Sequence, residues 1–147
     1  NSDVDLIGNA KAFLYVSTSA EDTDFTLKIV DQHPNGKAYN LQDGVIRLRY
    51  RDGIENPQLA KPDEIYKVEL ELRPIAYRFK KGHRITVYIS SSNFPRLARN
   101  LNTGKNPNKS AETNVAINHV YRNEIYTSYL ELPLSGQILS AVPYMEK

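Results

Sequence analysis

The chain has 147 residues and no cysteine, which excludes a disulfide framework, a zinc–thiolate site and a cysteine nucleophile. Its formal net charge of +2 is too small to indicate nucleic acid or an anionic membrane surface as a partner, and neither is expected. No apolar run approaches the ~20 residues that a membrane-spanning helix needs. The length fits one domain, and a lack of cysteine is compatible with any cellular compartment.

Short segments along the chain alternate apolar and polar side chains with a period of two residues. Such alternation predicts β-strands with one face towards a core and the other towards water or a partner. In chain order these segments are residues 12–17, 25–30, 46–51, 65–72, 84–89, 115–121 and 126–132. No segment has the pattern of a capped amphipathic helix, so we expect an all-β protein.

Turn signals separate the predicted strands. Pro34-Asn35-Gly36, Asp43-Gly44 and Asp52-Gly53 each combine residues that favour tight turns. Residues 94–112 form the longest strand-free stretch, which predicts a functional or mobile loop. Seven or more short strands with regular turn signals predict a two-layer β-sandwich, and the long connections favour jelly-roll topology.

The common catalytic motifs are missing. The sequence has no Gly-x-Ser-x-Gly elbow, no phosphate-binding loop, no dinucleotide fingerprint and no His-Glu-x-x-His helix. His33, His83 and His119 are far apart in sequence, and packing or hydrogen-bonding roles are favoured over a triad assembled from separate strands. We therefore expect no catalytic residue and no cofactor.

The best carboxylate cluster is Asp22 and Asp24, with Asp31 downstream. A calcium site would need several oxygen ligands, but this cluster lacks a third nearby acidic residue and a loop glycine. Hydrogen bonds donated by local backbone amides to these carboxylates are favoured, and no metal is expected. The alternating Arg47, Arg49 and Arg51 predict a salt-bridged outer face of one strand rather than a nucleic-acid surface.

Several unusual strings occur in a fixed order along the chain. They are residues 16–31 (VSTSAEDTDFTLKIVD), 34–38 (PNGKA), 43–47 (DGVIR), 79–85 (FKKGHRI), 89–96 (ISSSNFPR), 99–104 (RNLNTG) and 126–133 (YTSYLELP). Together they resemble the C-terminal non-catalytic domain of the X-Pro dipeptidyl-peptidase, cocaine esterase and α-amino acid ester hydrolase family of serine hydrolases. The resemblance covers residues 6–133.

This resemblance implies a jelly-roll sandwich of the galactose-binding-like type. In such enzymes the Ser–Asp–His triad belongs to a preceding α/β-hydrolase domain, so no residue of this chain inherits a catalytic role. The chain is thereby interpreted as one domain excised from a larger hydrolase, with a core at residues 6–133 and a tail or extra strand at residues 134–147. Its expected partner is the catalytic domain of the same parent chain, and a homo-oligomer is a further expectation.

The resemblance also implies an accessory role, in which the domain stabilises the enzyme and borders its substrate cleft. The candidates for the domain interface or the cleft wall are Asp24, Phe25, His83, Arg84, Phe94, Arg96, Arg99, Asn100 and Asn102. The loop that carries the last five can instead serve only its own stability, since Asn100, Asn102 and Gly104 suit a compact loop with side-chain-to-backbone bonds. The alternative functions are a carbohydrate-binding module, with some of the 10 tyrosines as stacking platforms, and an oligomerisation module.

Overall fold

The computed structural model describes residues 2–135 and the backbone of residues 137–141. Within these residues there are ten β-strands, one short 3-10 helix at Leu48–Tyr50 and no α-helix. The strands are β1 (Val4–Gly8), β2 (Lys11–Thr18), β3 (Asp24–Gln32), β4 (Ala38–Arg47), β5 (Tyr66–Glu71), β6 (Ile75–Phe79), β7 (Arg84–Ser90), β8 (Asn118–Tyr121), β9 (Tyr129–Leu134) and β10 (Gln137–Ala141). No helix in the described part of the chain is long and apolar enough to cross a membrane.

The strands form two antiparallel sheets. The larger has seven strands in the order β5-β2-β9-β1-β6, with β8 also paired with β2 and β10 with β9. The smaller has the order β4-β3-β7. The predicted all-β sandwich is confirmed, and the galactose-binding-like detail stays a prediction. The strand β10 lies in the segment for which a tail or an extra strand was expected, and residues 142–147 of that segment lie outside the described residues.

The core consists of inward-facing side chains from most of the alternating strands. The predicted strand at residues 115–121 does not contribute, because Val115 and Ile117 are 95% and 62% exposed. In β2 the side chains of Ala12, Leu14 and Val16 are fully buried, whereas those of Lys11, Phe13 and Tyr15 are half-buried on the outer face. Residues contributed to the same core by other strands include Phe25, Leu27, Ile29, Val68, Leu70, Leu130 and Leu132. In β2, β5 and β9 the period of two residues therefore predicted which side chains are buried, because successive side chains of a strand point to opposite sheet faces.

The predicted strand at residues 46–51 is wrong in its second half. The strand β4 ends at Arg47, because the Leu48 amide donates to the Thr23 carbonyl at 2.9 Å and the Arg49 amide donates to Asp22 Oδ1 at 3.0 Å. These bonds hold Leu48–Tyr50 in a 3-10 turn. The three arginines therefore do not share one face of a strand.

Two of the three predicted turns are confirmed. The turns at residues 34–36 and 52–53 each contain a glycine at positive φ, and Gly36 has φ 84°. Asp43-Gly44 is no turn, because it lies inside β4 and pairs with Leu27 and Lys28 of β3. A Cβ atom at Gly44 would lie 3.5 Å from Leu72 Cγ, so at this position the strand lies close to the core.

Candidate functional site

Residues 91–117, here called the long loop, connect β7 to β8 without any strand. Its backbone is held by bonds from its own asparagines. Asn102, at φ 59°, donates from Nδ2 to the Asn114 carbonyl at 2.9 Å, and its amide donates to Asn100 Oδ1 at 3.0 Å. The Asn114 amide closes the loop by donating to the Leu101 carbonyl at 2.9 Å. The predicted side-chain bonding of Asn100 and Asn102 is confirmed.

Asn100 joins the long loop to two buried carboxylates of the sandwich. Its Nδ2 atom donates to Asp22 Oδ2 and to Asp24 Oδ1, both at 2.8 Å. Arg47 binds Asp24 through two N–H groups at 2.8 and 3.0 Å, and Arg49 Nε donates to Asp22 Oδ2 at 2.8 Å. Asp22 is 0% exposed and Asp24 5%, so each buried negative charge has an arginine partner, as burial of charge requires. These five residues are called the anchor cluster.

The anchor cluster accounts for the carboxylates that were considered for calcium. The side-chain oxygens of Asp22 and Asp24 accept bonds from arginine and asparagine donors. Asp31 lies seven residues beyond Asp24 on the same strand, which corresponds to about 23 Å. The three aspartates therefore do not form one site.

Next to the anchor cluster, the long loop and β4 form an open groove with a volume of about 520 Å³. It is lined mainly by apolar side chains, and Val45, Tyr50 and Ile54 have 44%, 37% and 73% of their surface exposed. The remaining lining residues are Asp24, Ile46, Arg47, Leu97 and Ala98. We call this surface the apolar groove. Exposed apolar side chains grouped in this way are typical of surfaces that contact another protein part or a ligand.

The first part of the long loop presents two arginines and an aromatic ring. Arg96 Nε lies 3.0 Å from Asp43 Oδ2, and Asn93 Nδ2 donates to the same oxygen at 2.9 Å. Phe94 is 68% exposed, and the Arg99 guanidinium lies 5.9 Å from the centre of its ring. This pair offers a cation and an apolar ring side by side at the surface.

The structure does not bring all nine candidate residues together. Asp24, Phe94, Arg96, Arg99, Asn100 and Asn102 lie in the long loop or against it. Phe25 differs, because its position on β3 faces inward and its side chain is only 2% exposed. His83 and Arg84 lie at the opposite end of the small sheet, where Arg84 pairs with Gln32, whereas Ser90 pairs with Thr26 beside Asp24.

His83 belongs to a second polar cluster, at that opposite end. The Asp31 carboxylate is buried between the sheets and accepts a hydrogen bond from the Tyr77 hydroxyl at 2.7 Å. His83 Nδ1 lies 2.9 and 3.0 Å from its two oxygens, and His33 Nε2 lies 3.2 Å from Oδ2. Burial by itself raises the pKa of the Asp31 carboxyl, but the Tyr77 and His83 hydrogen bonds and the histidine charges outweigh burial and hold that pKa below its ordinary value.

Sequence reasoning missed this second cluster and the apolar groove. Asp31 and His33 are neighbours in sequence, but His83 reaches them only because β7 pairs with β3. The groove combines β4, the residues after it and the long loop, and no single segment carries a motif for it. An available signal was the apolar Ile54 directly after the Asp52-Gly53 turn, where a water-facing loop would favour a polar residue.

The comparison with protein families gives one match over most of the chain. Residues 1–131 match the model of the X-Pro dipeptidyl-peptidase C-terminal non-catalytic domain. The chain belongs to this family. The family predicted from the sequence motifs is therefore confirmed.

Individual relatives agree with this membership. Cocaine esterase of Rhodococcus sp. (strain MB1 Bresler) is 43% identical over 133 residues, which are 89% of this chain and 23% of that protein. An aminopeptidase from a marine sediment Thaumarchaeota archaeon has a similar structure, with a TM-score of 0.82 and 27% identity over 91% of this chain and 24% of the other. An α-amino acid ester hydrolase gives a TM-score of 0.82 at 25% identity, covering 90% of this chain and 24% of the other. The chain thus spans about a quarter of the length of these relatives.

Proposed function

We propose that this chain is the accessory C-terminal domain of a larger serine hydrolase that acts on peptide or acyl-ester bonds. It supplies no nucleophile. It docks on the catalytic α/β-hydrolase domain of the same parent protein, stabilises that domain and places the long loop beside the substrate cleft. Family membership and the quarter-length match to esterases and an aminopeptidase support this proposal.

The main support for the proposed docking surface is the apolar groove beside the anchor cluster. Ile54 in the groove and Phe94 on the adjoining loop expose 73% and 68% of their surface, and covering this apolar surface with a partner would be favourable. The Asn100 bonds to Asp22 and Asp24 hold the loop in one position, so its surface is preformed. Preformed apolar surfaces bind with a smaller loss of conformational entropy.

The first test is the parent coding sequence. We expect the reading frame upstream of Asn1 to encode a Gly-x-Ser-x-x-Gly nucleophile elbow within an α/β-hydrolase domain. A parent protein without such an elbow contradicts the proposal. The purified 147-residue chain should not hydrolyse aminoacyl or simple aryl esters, and clear turnover by it contradicts the non-catalytic role within the parent enzyme.

The second test compares two exposed isoleucines in the full-length enzyme. Ile54 lies in the apolar groove and is 73% exposed, whereas Ile125 lies in the turn before β9 and is 79% exposed. We expect Ile54→Asp to shorten the half-life of hydrolytic activity at elevated temperature several-fold, because a charge in a docked apolar surface opposes association. Ile125→Asp should leave the half-life unchanged. Equal effects of the two substitutions argue against docking through the groove.

A third measurement separates docking from a position beside the cleft. Arg99 and Lys109 are both exposed cations of the long loop. If the Arg99 region borders the cleft, Arg99→Gln changes KM for a charged substrate without shortening the half-life, and Lys109→Gln changes neither. An unchanged KM in Arg99→Gln removes the cleft role and leaves the docking role standing.

Self-association through the same groove is the alternative use of this surface. It is distinguished by light scattering of the full-length enzyme. Dissociation of an oligomer by Ile54→Asp, with unchanged thermal half-life of each subunit, assigns the groove to a contact between copies rather than to the catalytic domain.

A further inference from the structure

The buried end of β3 collects three side chains that are common metal ligands. Asp31, His33 and His83 each present one ligand atom, and these atoms lie within 4.8 Å of one another. His33 Nε2 lies 3.2 Å from Asp31 Oδ2, and His83 Nδ1 lies 2.9 Å from the same oxygen. Two ring nitrogens therefore converge on one carboxylate oxygen from different segments of the chain.

These separations are close to those of a tetrahedral zinc site. Zinc binds histidine nitrogen and carboxylate oxygen at about 2.0–2.2 Å, which puts neighbouring ligand atoms roughly 3.3–3.5 Å apart. The two histidine nitrogens lie 3.2 and 2.9 Å from Asp31 Oδ2, and all three ligand atoms lie within 4.8 Å of one another. Two imidazoles and one carboxylate leave a fourth position for water, as in three-ligand zinc sites. With no cysteine in the chain, a nitrogen and oxygen site is the type this sequence can build.

The surroundings of the cluster favour an ordered site with an entry path. Tyr77 donates its hydroxyl hydrogen to Asp31 Oδ2 at 2.7 Å, which orients the carboxylate as an outer hydrogen-bond partner does in metal sites. The Asp31 side chain is 1% exposed, whereas the side chains of His83 and His33 are 13% and 27% exposed. The carboxylate is thus shielded from water, and an ion can reach it past the His33 ring.

We propose that Asp31, His33 and His83 bind a zinc ion at the end of the sandwich. The ion replaces the histidine–carboxylate hydrogen bonds by metal–ligand bonds, while the Tyr77 hydroxyl stays bonded to the carboxylate. The ion connects the end of β3 and the turn at His33 to the start of β7. The Tyr77 hydrogen bond to the carboxylate connects this site to β6 of the opposite sheet. This cross-linking role is independent of the proposed hydrolase partnership.

Calorimetry and cobalt spectroscopy on the tag-free chain test the site directly. We expect zinc to raise the unfolding temperature by about 5–10 °C at a hundredfold excess over its dissociation constant, with reversal by EDTA. Cobalt(II) as a probe should give visible absorption of a four-coordinate nitrogen and oxygen site, and zinc should remove that absorption by competition.

Substitutions identify the ligands. His33→Gln changes a partly exposed ring, so the variant should fold and bind zinc at least about tenfold more weakly, as should His83→Gln. His119 on β8 is the matched control, and the His119→Gln variant should bind zinc with the same affinity as the unsubstituted chain. A chain with no zinc-dependent shift and no cobalt absorption at millimolar metal overturns the proposal. So does His33→Gln or His83→Gln that folds and binds zinc with unchanged affinity.

Discussion

Asn100 Nδ2 lies 2.8 Å from Asp22 Oδ2, although 78 residues separate the two in sequence. The same nitrogen donates to Asp24 Oδ1, so one amide group joins the middle of the long loop to the start of β3. The loop that borders the apolar groove is held by a side chain that lies within the loop itself.

Replacing Asn100 tests this connection. We expect Asn100→Ala to lower the free energy of unfolding by about 1–3 kcal/mol, because two buried carboxylates each lose a donor. The measurement is urea denaturation followed by circular dichroism. Asn108→Ala, at an exposed position of the same loop, is the control and should change stability by less than about 0.5 kcal/mol. A similar loss in both variants would show that the loop is stabilised mainly elsewhere.

A larger effect is expected at Asp22. This carboxylate is 0% exposed, accepts the Arg49 amide and side chain, and is bonded to Asn100. Asp22→Asn leaves the Arg49 charge without its partner and should cost about 3 kcal/mol. Asp52→Asn provides the comparison, since Asp52 has a side chain 55% exposed and a 3.5 Å contact with Arg51, and surface pairs contribute at most about 1 kcal/mol. Equal losses in the denaturation midpoint would contradict the assignment of Asp22 to a buried network.

Two phenylalanines from the same candidate set should respond in opposite ways. Phe25 is 2% exposed in the core, and Phe94 is 68% exposed on the long loop. Phe25→Ala should lower stability by about 3–5 kcal/mol through loss of buried surface and creation of a cavity. Phe94→Ala should change it by less than about 0.5 kcal/mol in this chain. The measurement is thermal unfolding of both variants. A larger loss of stability in Phe94→Ala than in Phe25→Ala would contradict the described positions of the two rings.

The pairing of β1 with β6 is testable through Asp5. A hydrogen bond from Arg78 Nε, at 2.7 Å, is the main cause that lowers the pKa of the Asp5 carboxyl below its ordinary value. A lowered carboxyl pKa means that this pair favours the folded state above the ordinary pKa. That contribution is lost as the pH falls through the folded-state pKa.

Carboxyl-carbon NMR titration of Asp5 measures this shift directly. Arg78→Gln should move the pKa of Asp5 up towards its ordinary value, because the bonded cation is gone. Arg73→Gln alters another exposed arginine, one outside β6, and should leave the Asp5 titration as it was. If the pKa of Asp5 does not respond to Arg78→Gln, the two strands are not in the register described.

The strand pattern was largely predictable, but its limits have physical causes. The segments of β2, β3, β5 and β7 were predicted because each alternates apolar and polar residues along a half-buried strand. Both β1 and β6 were missed, although Ile75, Tyr77 and Phe79 alternate in β6. A run of five residues is too short to stand out before its partner strand is known. The error at residues 48–50 arose because Asp22, from another segment, bonds the Arg49 amide.

The site was predicted less completely than the fold. The motif residues Asn100 and Asn102 were recognised as loop-stabilising, and they are. Three features of the site could not be predicted from the sequence. They are the partners of Asn100, the grouping of Val45, Tyr50 and Ile54 in one groove, and the approach of His83 to Asp31. Each depends on contacts between segments tens of residues apart.

The sequence by itself determined the all-β class, the inward face of the main strands and the family, because these depend on local alternation and on ordered strings of residues. The lack of cysteine also excluded thiol chemistry. Only the tertiary structure decided which charges meet, which apolar side chains stay exposed and which histidines surround Asp31. Register between distant strands sets those distances, and a one-residue change of register would turn every side chain of a strand to the other face.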